Sequence, residues 1–288
     1  AMCLISGDPH ILTFDSKNLH PQGICKYNLA SSSASANLTI PFNVDAKFER
    51  RGENNLISYV KYVDVSVYGH SLRLDRNQII RVSPKLTILI LSPVYAEGKL
   101  KVTMNSNFLR IETDFGLIVE NDGKWTAIIR VPTEFKNATE GLCGNNDGDA
   151  ENDMLTKEGN DVTGMDGSHS ILANSWQVHD PDEQLCQQEV VNDITDCDIE
   201  LKTKLSNDNH LCGLTFNADS NPFKTCLAHP QMNAQAFADN CIFDLCALQS
   251  DGKAMREAAC GTLSALAVQC KHLGLIIDWR DIADCRKY

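Results

Sequence analysis

Oxygen ligands crowd one stretch of this chain, Gly141-Leu142-Cys143-Gly144-Asn145-Asn146-Asp147-Gly148-Asp149-Ala150-Glu151-Asn152-Asp153. Asn145, Asp147 and Asp149 alternate, and Asn152 and Asp153 follow closely. A hard cation such as calcium takes roughly six to eight oxygens, and a glycine such as Gly148 lets a short loop aim alternate side chains and an intervening carbonyl at one point. The EF-hand spacing does not fit, because its glycine falls elsewhere and Thr156 stands where a bidentate Glu would close the loop. The residues alone leave two readings: a calcium loop of another kind, or an Asx-rich turn held by its own backbone hydrogen bonds.

Gly7-Asp8-Pro9-His10 is the other place where covalent chemistry is conceivable. The Asp8 carboxylate can attack its own main-chain carbonyl, with the proline nitrogen leaving once protonated; the bland alternative is a strand opening in which His10 is packed or hydrogen bonded. The eight histidines (His10, His20, His70, His169, His179, His210, His229 and His272) show no metal-ligand spacing and read as surface or satisfied core. A His10-His20 transition-metal pair is the exception weighed. There is no Ser-His-Asp hydrolase motif, no glycine-rich phosphate loop after a strand and no carboxylate pair in a catalytic setting, so catalysis on external substrates is not expected.

At 288 residues the chain suits two ordinary domains. Its 26 Lys and Arg against 38 Asp and Glu give a formal charge of -12, which argues against nucleic acid or an anionic membrane and favours divalent cations. No apolar run is long enough to span a bilayer, and the chain opens without a secretory leader. Twelve cysteines without a Cys-x-x-Cys pair read as disulfides from an oxidising compartment. Cys3, Cys25 and Cys143 are widely spaced, whereas Cys186, Cys197, Cys212, Cys226, Cys241, Cys246, Cys260, Cys270 and Cys285 crowd the end, which places a domain boundary between Cys186 and Cys197. Sequons at Asn37 and Asn137 agree with secretion.

The elements that must position these residues change character at that boundary. Alternation predicts strands over 26–30, 38–48, 60–68, 71–74, 79–82, 86–91, 99–103, 108–113, 117–120 and 125–131, separated by turn formers such as Tyr68-Gly69-His70 and Asn121-Asp122-Gly123. Short strands joined by hairpin turns imply an antiparallel sandwich or barrel. Residues 154–170 read as polar and irregular, 171–176 as an apolar anchor that closes the domain, and Trp125 and Trp176 as core anchors. Segments 199–205, 231–249 and 253–272 carry apolar residues and cysteines at helical spacing, with Cys260, Leu263, Ala267 and Cys270 on one stripe. The fold class is thus mostly β, an antiparallel sandwich over residues 1–190, with a small α-helical disulfide-rich module over 191–288.

Taken together, Gly7-Asp8-Pro9-His10-x-x-Thr13-Phe14-Asp15, Cys25-x-Tyr27-x-Leu29, Gly141-Leu142-Cys143-Gly144-Asn145-x-Asp147-Gly148, Asn174-Ser175-Trp176 and the eight-cysteine array resemble the von Willebrand factor type D assembly, a D domain followed by an eight-cysteine (C8) module. The resemblance implies a calcium site made by Asp15, the side chains of Asn145, Asp147, Asn152 and Asp153, and the main-chain carbonyl of Asp149. It also implies the pairs Cys3–Cys143, Cys25–Cys186, Cys197–Cys246, Cys212–Cys241, Cys226–Cys270 and Cys260–Cys285. Because 247–259 holds no further cysteine and Glu140 stands where some members have one, covalent polymerisation by this segment is not expected. The implied function is that of a secreted, non-enzymatic, calcium-stabilised structural and adhesive module that assembles with or recognises extracellular glycoproteins or matrix, non-covalent self-pairing included, within a longer modular protein. Two alternatives come with the family: self-cleavage at Asp8-Pro9 in a mildly acidic secretory compartment, and carriage of a growth factor or lipid.

Overall fold

A computed structural model describes residues 1–33, 40–51, 57–76, 79–83, 87–88, 94–105, 107–180, 186, 197–207, 211–216 and 221–286. Asn37 and parts of the strands predicted over 38–48 and 86–91 lie outside these residues. The chain divides into two compact units, Ala1–Asp193 and Ile194–Tyr288.

In the first unit the strands are β1 (Met2–Ser6), β2 (His10–Leu12), β3 (Asn18–Leu19), β4 (Lys26–Ser32), β5 (Phe42–Glu49), β6 (Tyr59–Val67), β7 (His70–Leu74), β8 (Ile80–Ser83), β9 (Thr87–Ile88), β10 (Val94–Tyr95), β11 (Leu100–Asn105), β12 (Phe108–Thr113), β13 (Ile118–Asn121), β14 (Thr126–Arg130) and β15 (Thr139–Glu140). They form two antiparallel sheets, β10-β11-β12-β13-β14-β1-β2-β3 and β15-β4-β5-β6-β7-β8-β9. Alternate residues of both sheets enter one core: Val63, Val65 and Leu72 from one, Ile111, Val119 and Ile129 from the other. This is the sandwich that the period-2 pattern demands. The amino-terminal strand is not an appendage. β1 lies between β14 and β2, with Cys3 opposite Ile129, so it completes the middle of its sheet.

On the face of the second sheet, Asp64 gathers Lys26 Nζ at 2.7 Å and Arg73 Nε at 2.7 Å, while Arg73 stacks 3.6 Å from the Tyr62 ring centre. Nearby, Tyr62 donates to Asp180 at 3.0 Å, and Lys47 lies 3.8 Å from the same carboxylate. Cross-strand spacing puts these long polar side chains in contact, and their mutual pairing compensates their burial.

Two expectations need correction. The stretch read as an irregular return contains helix α1 (Ser168–Ser175). Its buried residues are Ser168 and Ser170 as well as Leu172 and Ala173, so the buried face is too mixed to read as a helical stripe. Trp125 and Trp176 are only half-buried: Trp125 stacks edge-on against Tyr59 beneath Arg51, and Trp176 packs at the margin of the core.

The second unit consists of α2 (Ile199–Asn207), α3 (Lys224–Leu227), α4 (Ala234–Ala247) and α5 (Gly252–His272). Asn233 caps α4 through the Ala236 N–H, and Asp251 caps α5 through the Lys253 and Ala254 N–H groups, satisfying donors that a helix start leaves open. The unit is crosslinked by Cys197–Cys246, Cys212–Cys241, Cys226–Cys270 and Cys260–Cys285, and Trp279 is buried against Phe223. Among the described residues no helix is long and apolar enough to cross a membrane.

Candidate metal centre

Cys143 is the hinge on which the oxygen-rich loop hangs. Strand β4 shifts register between Asn28 and Ala30, and the carbonyls of Asn28 and Leu29 there accept the N–H groups of Leu142 (3.1 Å) and Cys143 (2.7 Å). The Cys143 carbonyl accepts the Phe14 N–H at 2.9 Å, and its sulfur is bonded to Cys3. Gly141 makes this approach feasible. Its φ is +118°, and a Cβ there would sit 2.6 Å from the Leu29 carbonyl oxygen. The Cys25–Cys186 bond ties the other end of β4 to the domain's return segment.

Held this way, the loop meets the turn after β2. Asp15 Oδ2 accepts from the Asp147 N–H at 3.1 Å and Oδ1 from the Gly148 N–H at 2.9 Å, across 132 and 133 residues. Asn145 and Asn152 each turn a side-chain N–H to Asp147 Oδ2, at 3.0 and 2.7 Å. Those donors, Asn152 foremost, hold the Asp147 carboxyl below its ordinary value. Asp153 Oδ2 accepts from the Thr13 hydroxyl at 2.5 Å. Its Oδ1 is buried with no donor in hydrogen-bonding geometry. Gly144 leaves the room this oxygen occupies, because a Cβ there would lie 2.1 Å from it. Burial first, then the nearby Asp15 and Asp147, push the Asp153 carboxyl up to about 6 against the pull of Thr13 and the Asn145 N–H. Asp15 is raised too, chiefly by burial. Asp149 caps the short turn Ala150–Asn152 through the Glu151 N–H, and its carbonyl faces the Asn152 N–H at 3.4 Å.

The loop and the turn after β2 thus bring Asp15, Asn145, Asp147, Asn152 and Asp153 into one hydrogen-bonded neighbourhood, with a buried Asp153 oxygen that accepts no hydrogen bond. That donor set is hard and oxygen-only, and it fits a calcium ion better than a transition metal.

His10 and His20, the pair weighed above as a metal site, belong to a second cluster that also takes in Asp8, Asn18 and His169. Asp8 and His10 are each 1% exposed, and His10 Nε2 lies 2.6 Å from Asp8 Oδ1. His10 Nδ1 lies 2.7 Å from His20 Nδ1, and His20 Nε2 is 3.2 Å from Asn18 Nδ2. In the direction set by Asn18 Nδ2, which can only donate, Asn18 donates to His20 and His20 to His10, which leaves the His10 Nε2 proton on the side of the Asp8 carboxylate. Burial, with His10 and His169 adding to it, lowers the His20 pKa well below its ordinary value. His169, carried by α1, accepts the His20 main-chain N–H at 3.3 Å. The main-chain carbonyl of Asp8 accepts a hydrogen bond from Gln22 Nε2, and Gln22 Oε1 is itself held by the Ser58 N–H at 3.1 Å. Three histidines separated by 10 and 149 positions give no motif. Only the pairing of β1, β2 and β3 brings the first two together.

Residues 3–160 match the family model of the von Willebrand factor type D domain, and residues 211–286 match that of the C8 domain. The chain is 32% identical over 288 residues to the IgGFc-binding protein of Homo sapiens, and 32% identical over 286 residues both to zonadhesin of Oryctolagus cuniculus and to alpha-tectorin of Mus musculus. These alignments cover 98 to 99% of the chain but only 5 to 12% of the relatives' length.

Proposed function

The chain belongs to the von Willebrand factor type D domain family, with a C8 domain behind the D domain, and from that membership we propose a secreted, non-enzymatic structural and adhesive module whose sandwich is tied together by calcium. The ligands are the side chains of Asp15, Asn145, Asp147, Asn152 and Asp153 and the carbonyl of Asp149. Calcium supplies charge neutralisation and a crosslink. The carrying observation is the buried Asp153 Oδ1 beside Asp15 and Asp147, a carboxylate arrangement that is costly without a cation. Asn145 and Asn152 present side-chain N–H groups to Asp147, and to serve as ligands both amides turn their oxygens toward the ion, Asn145 giving up its contact with the Asp147 N–H. A rigid, crosslinked surface of this kind is suited to binding other extracellular macromolecules, and the resemblance to proteins named for Fc binding points the same way. Isothermal titration with calcium tests the site: the chain should bind one ion, and Asp15→Asn and Asp153→Asn should each weaken binding at least tenfold. Unchanged affinity in both variants sinks the assignment.

Self-cleavage at Asp8-Pro9 is a second reading, favoured by the Gln22 contact. The Asp8 carboxylate oxygen bonds to its own carbonyl carbon, the Pro9 nitrogen takes a proton and leaves, and water opens the resulting cyclic anhydride. Gln22, oriented by Ser58, places an N–H where the carbonyl oxygen becomes anionic, and His10 Nε2 lies 2.6 Å from the attacking carboxylate. Residues 1–8 stay attached through Cys3–Cys143, so the readout is the mass of the reduced protein after incubation in mildly acidic buffer. Fragments are expected, and Gln22→Met should slow their appearance about a hundredfold. An intact chain removes the reading.

A further inference from the structure

We infer that Asn137 receives an N-linked oligosaccharide while the chain is still open, because folding closes the acceptor. The transferase reads an Asn amide together with the hydroxyl two residues on. In the transfer, Asn137 Nδ2 bonds to the anomeric carbon of a lipid-pyrophosphate-linked oligosaccharide and loses a proton, while the bond from that carbon to the pyrophosphate oxygen breaks and the lipid pyrophosphate departs.

The folded domain splits the two halves of this signal. Asn137 is exposed, in the left-handed region at φ +56°, which asparagine tolerates better than most residues. Its main-chain N–H is fixed to the Asn146 carbonyl at 3.0 Å. Thr139 is 3% exposed, paired with Ser32 in β15, and its hydroxyl donates to the Gly144 carbonyl at 3.0 Å. Between them Ala138 is buried, with its carbonyl accepting the Ser33 N–H at 2.9 Å. The oxygen-rich loop therefore takes up the hydroxyl that a transferase needs, and leaves outside the nitrogen that bears the sugar. A glycan added earlier fits without displacing anything buried. It stands next to β15, the terminal strand of its sheet, where bulk hinders pairing with another chain.

Two measurements test this. Protein secreted from eukaryotic cells is treated with a glycan-releasing amidase in heavy-oxygen water; Asn137 should be recovered as labelled Asp, with Asn137→Gly, which accepts the same φ, as the blank. Protein made with glycosylation blocked is then offered to membrane oligosaccharyltransferase and its lipid-linked donor. The reduced and alkylated chain should accept sugar at Asn137, and the folded chain with its disulfides intact should not. An unlabelled Asn137 in the secreted protein, or equal transfer to the folded chain, overturns the inference.

Discussion

Asp153 shows how a single carboxylate couples the candidate site to pH. Its folded pKa of about 6 lies above the ordinary Asp value of 3.8. Between those values the folded state holds more protons than the unfolded state, so this group's contribution to stability falls as pH rises from about 4 and is fully lost above about 6. The proposed calcium ion would reverse the balance, since binding requires the ionised form and displaces a proton. Apparent calcium affinity should therefore be flat above about pH 6 and fall below it, approaching tenfold per pH unit for one proton. Titrations in two buffers of different ionisation enthalpy would reveal the released proton, and an affinity that ignores pH between about 5 and 7 would exclude Asp153 as a ligand. The proximity of Asn145, Asp147, Asn152 and Asp153 in the fold was legible because they lie within nine positions of one another. The Gln22 contact and the part of Asn18 and His169 in the His10-His20 pair were not, because each depends on strand register and leaves no local pattern.

At the scale of elements, the site depends on how closely the 141–143 segment approaches β4. Gly141→Ala combines a strained φ with a Cβ 2.6 Å from a main-chain oxygen, so the variant should lose at least about 2 kcal/mol of stability and bind calcium at least tenfold more weakly. Urea unfolding and titration of the same sample would measure both, and a fully stable variant would mean the loop is not anchored at Leu29. On the second sheet, Asp64→Ala strands Lys26 and Arg73 with their principal buried partner gone, and should cost about 3–5 kcal/mol in the same assay. Alternating strands such as β11 and β12 were readable because one side of each faces the core. β1 is buried at every position and β3 and β15 are two residues long, so neither alternation nor length marked them. Helices α4 and α5 were evident from spacing, whereas α1 hides serines in its buried face.

For the D domain as a whole, two closures join the same distant segments: the Cys3–Cys143 bond and the proposed ion between Asp15 and the 145–153 loop. The disulfide closes a loop of 140 residues, which chain entropy values at about 5 kcal/mol. An ion present at about a thousand times its Kd contributes about 4 kcal/mol to the folded form. Losing either closure alone removes about half of their joint contribution, whereas losing both removes about 9 kcal/mol, comparable with the whole stability of an ordinary domain. Chelation of the intact protein should lower the melting temperature of the β unit by roughly 8–16 °C, at about 2–4 °C per kcal/mol for a domain of this size. The Cys3→Ala/Cys143→Ala variant should melt as a folded domain in calcium and show no cooperative transition in chelator. Scanning calorimetry of both proteins with and without calcium distinguishes the cases: a variant equally folded in chelator would show that the ion is not a second fastening, and a wild type unmoved by chelation would remove calcium from the account of this domain's stability.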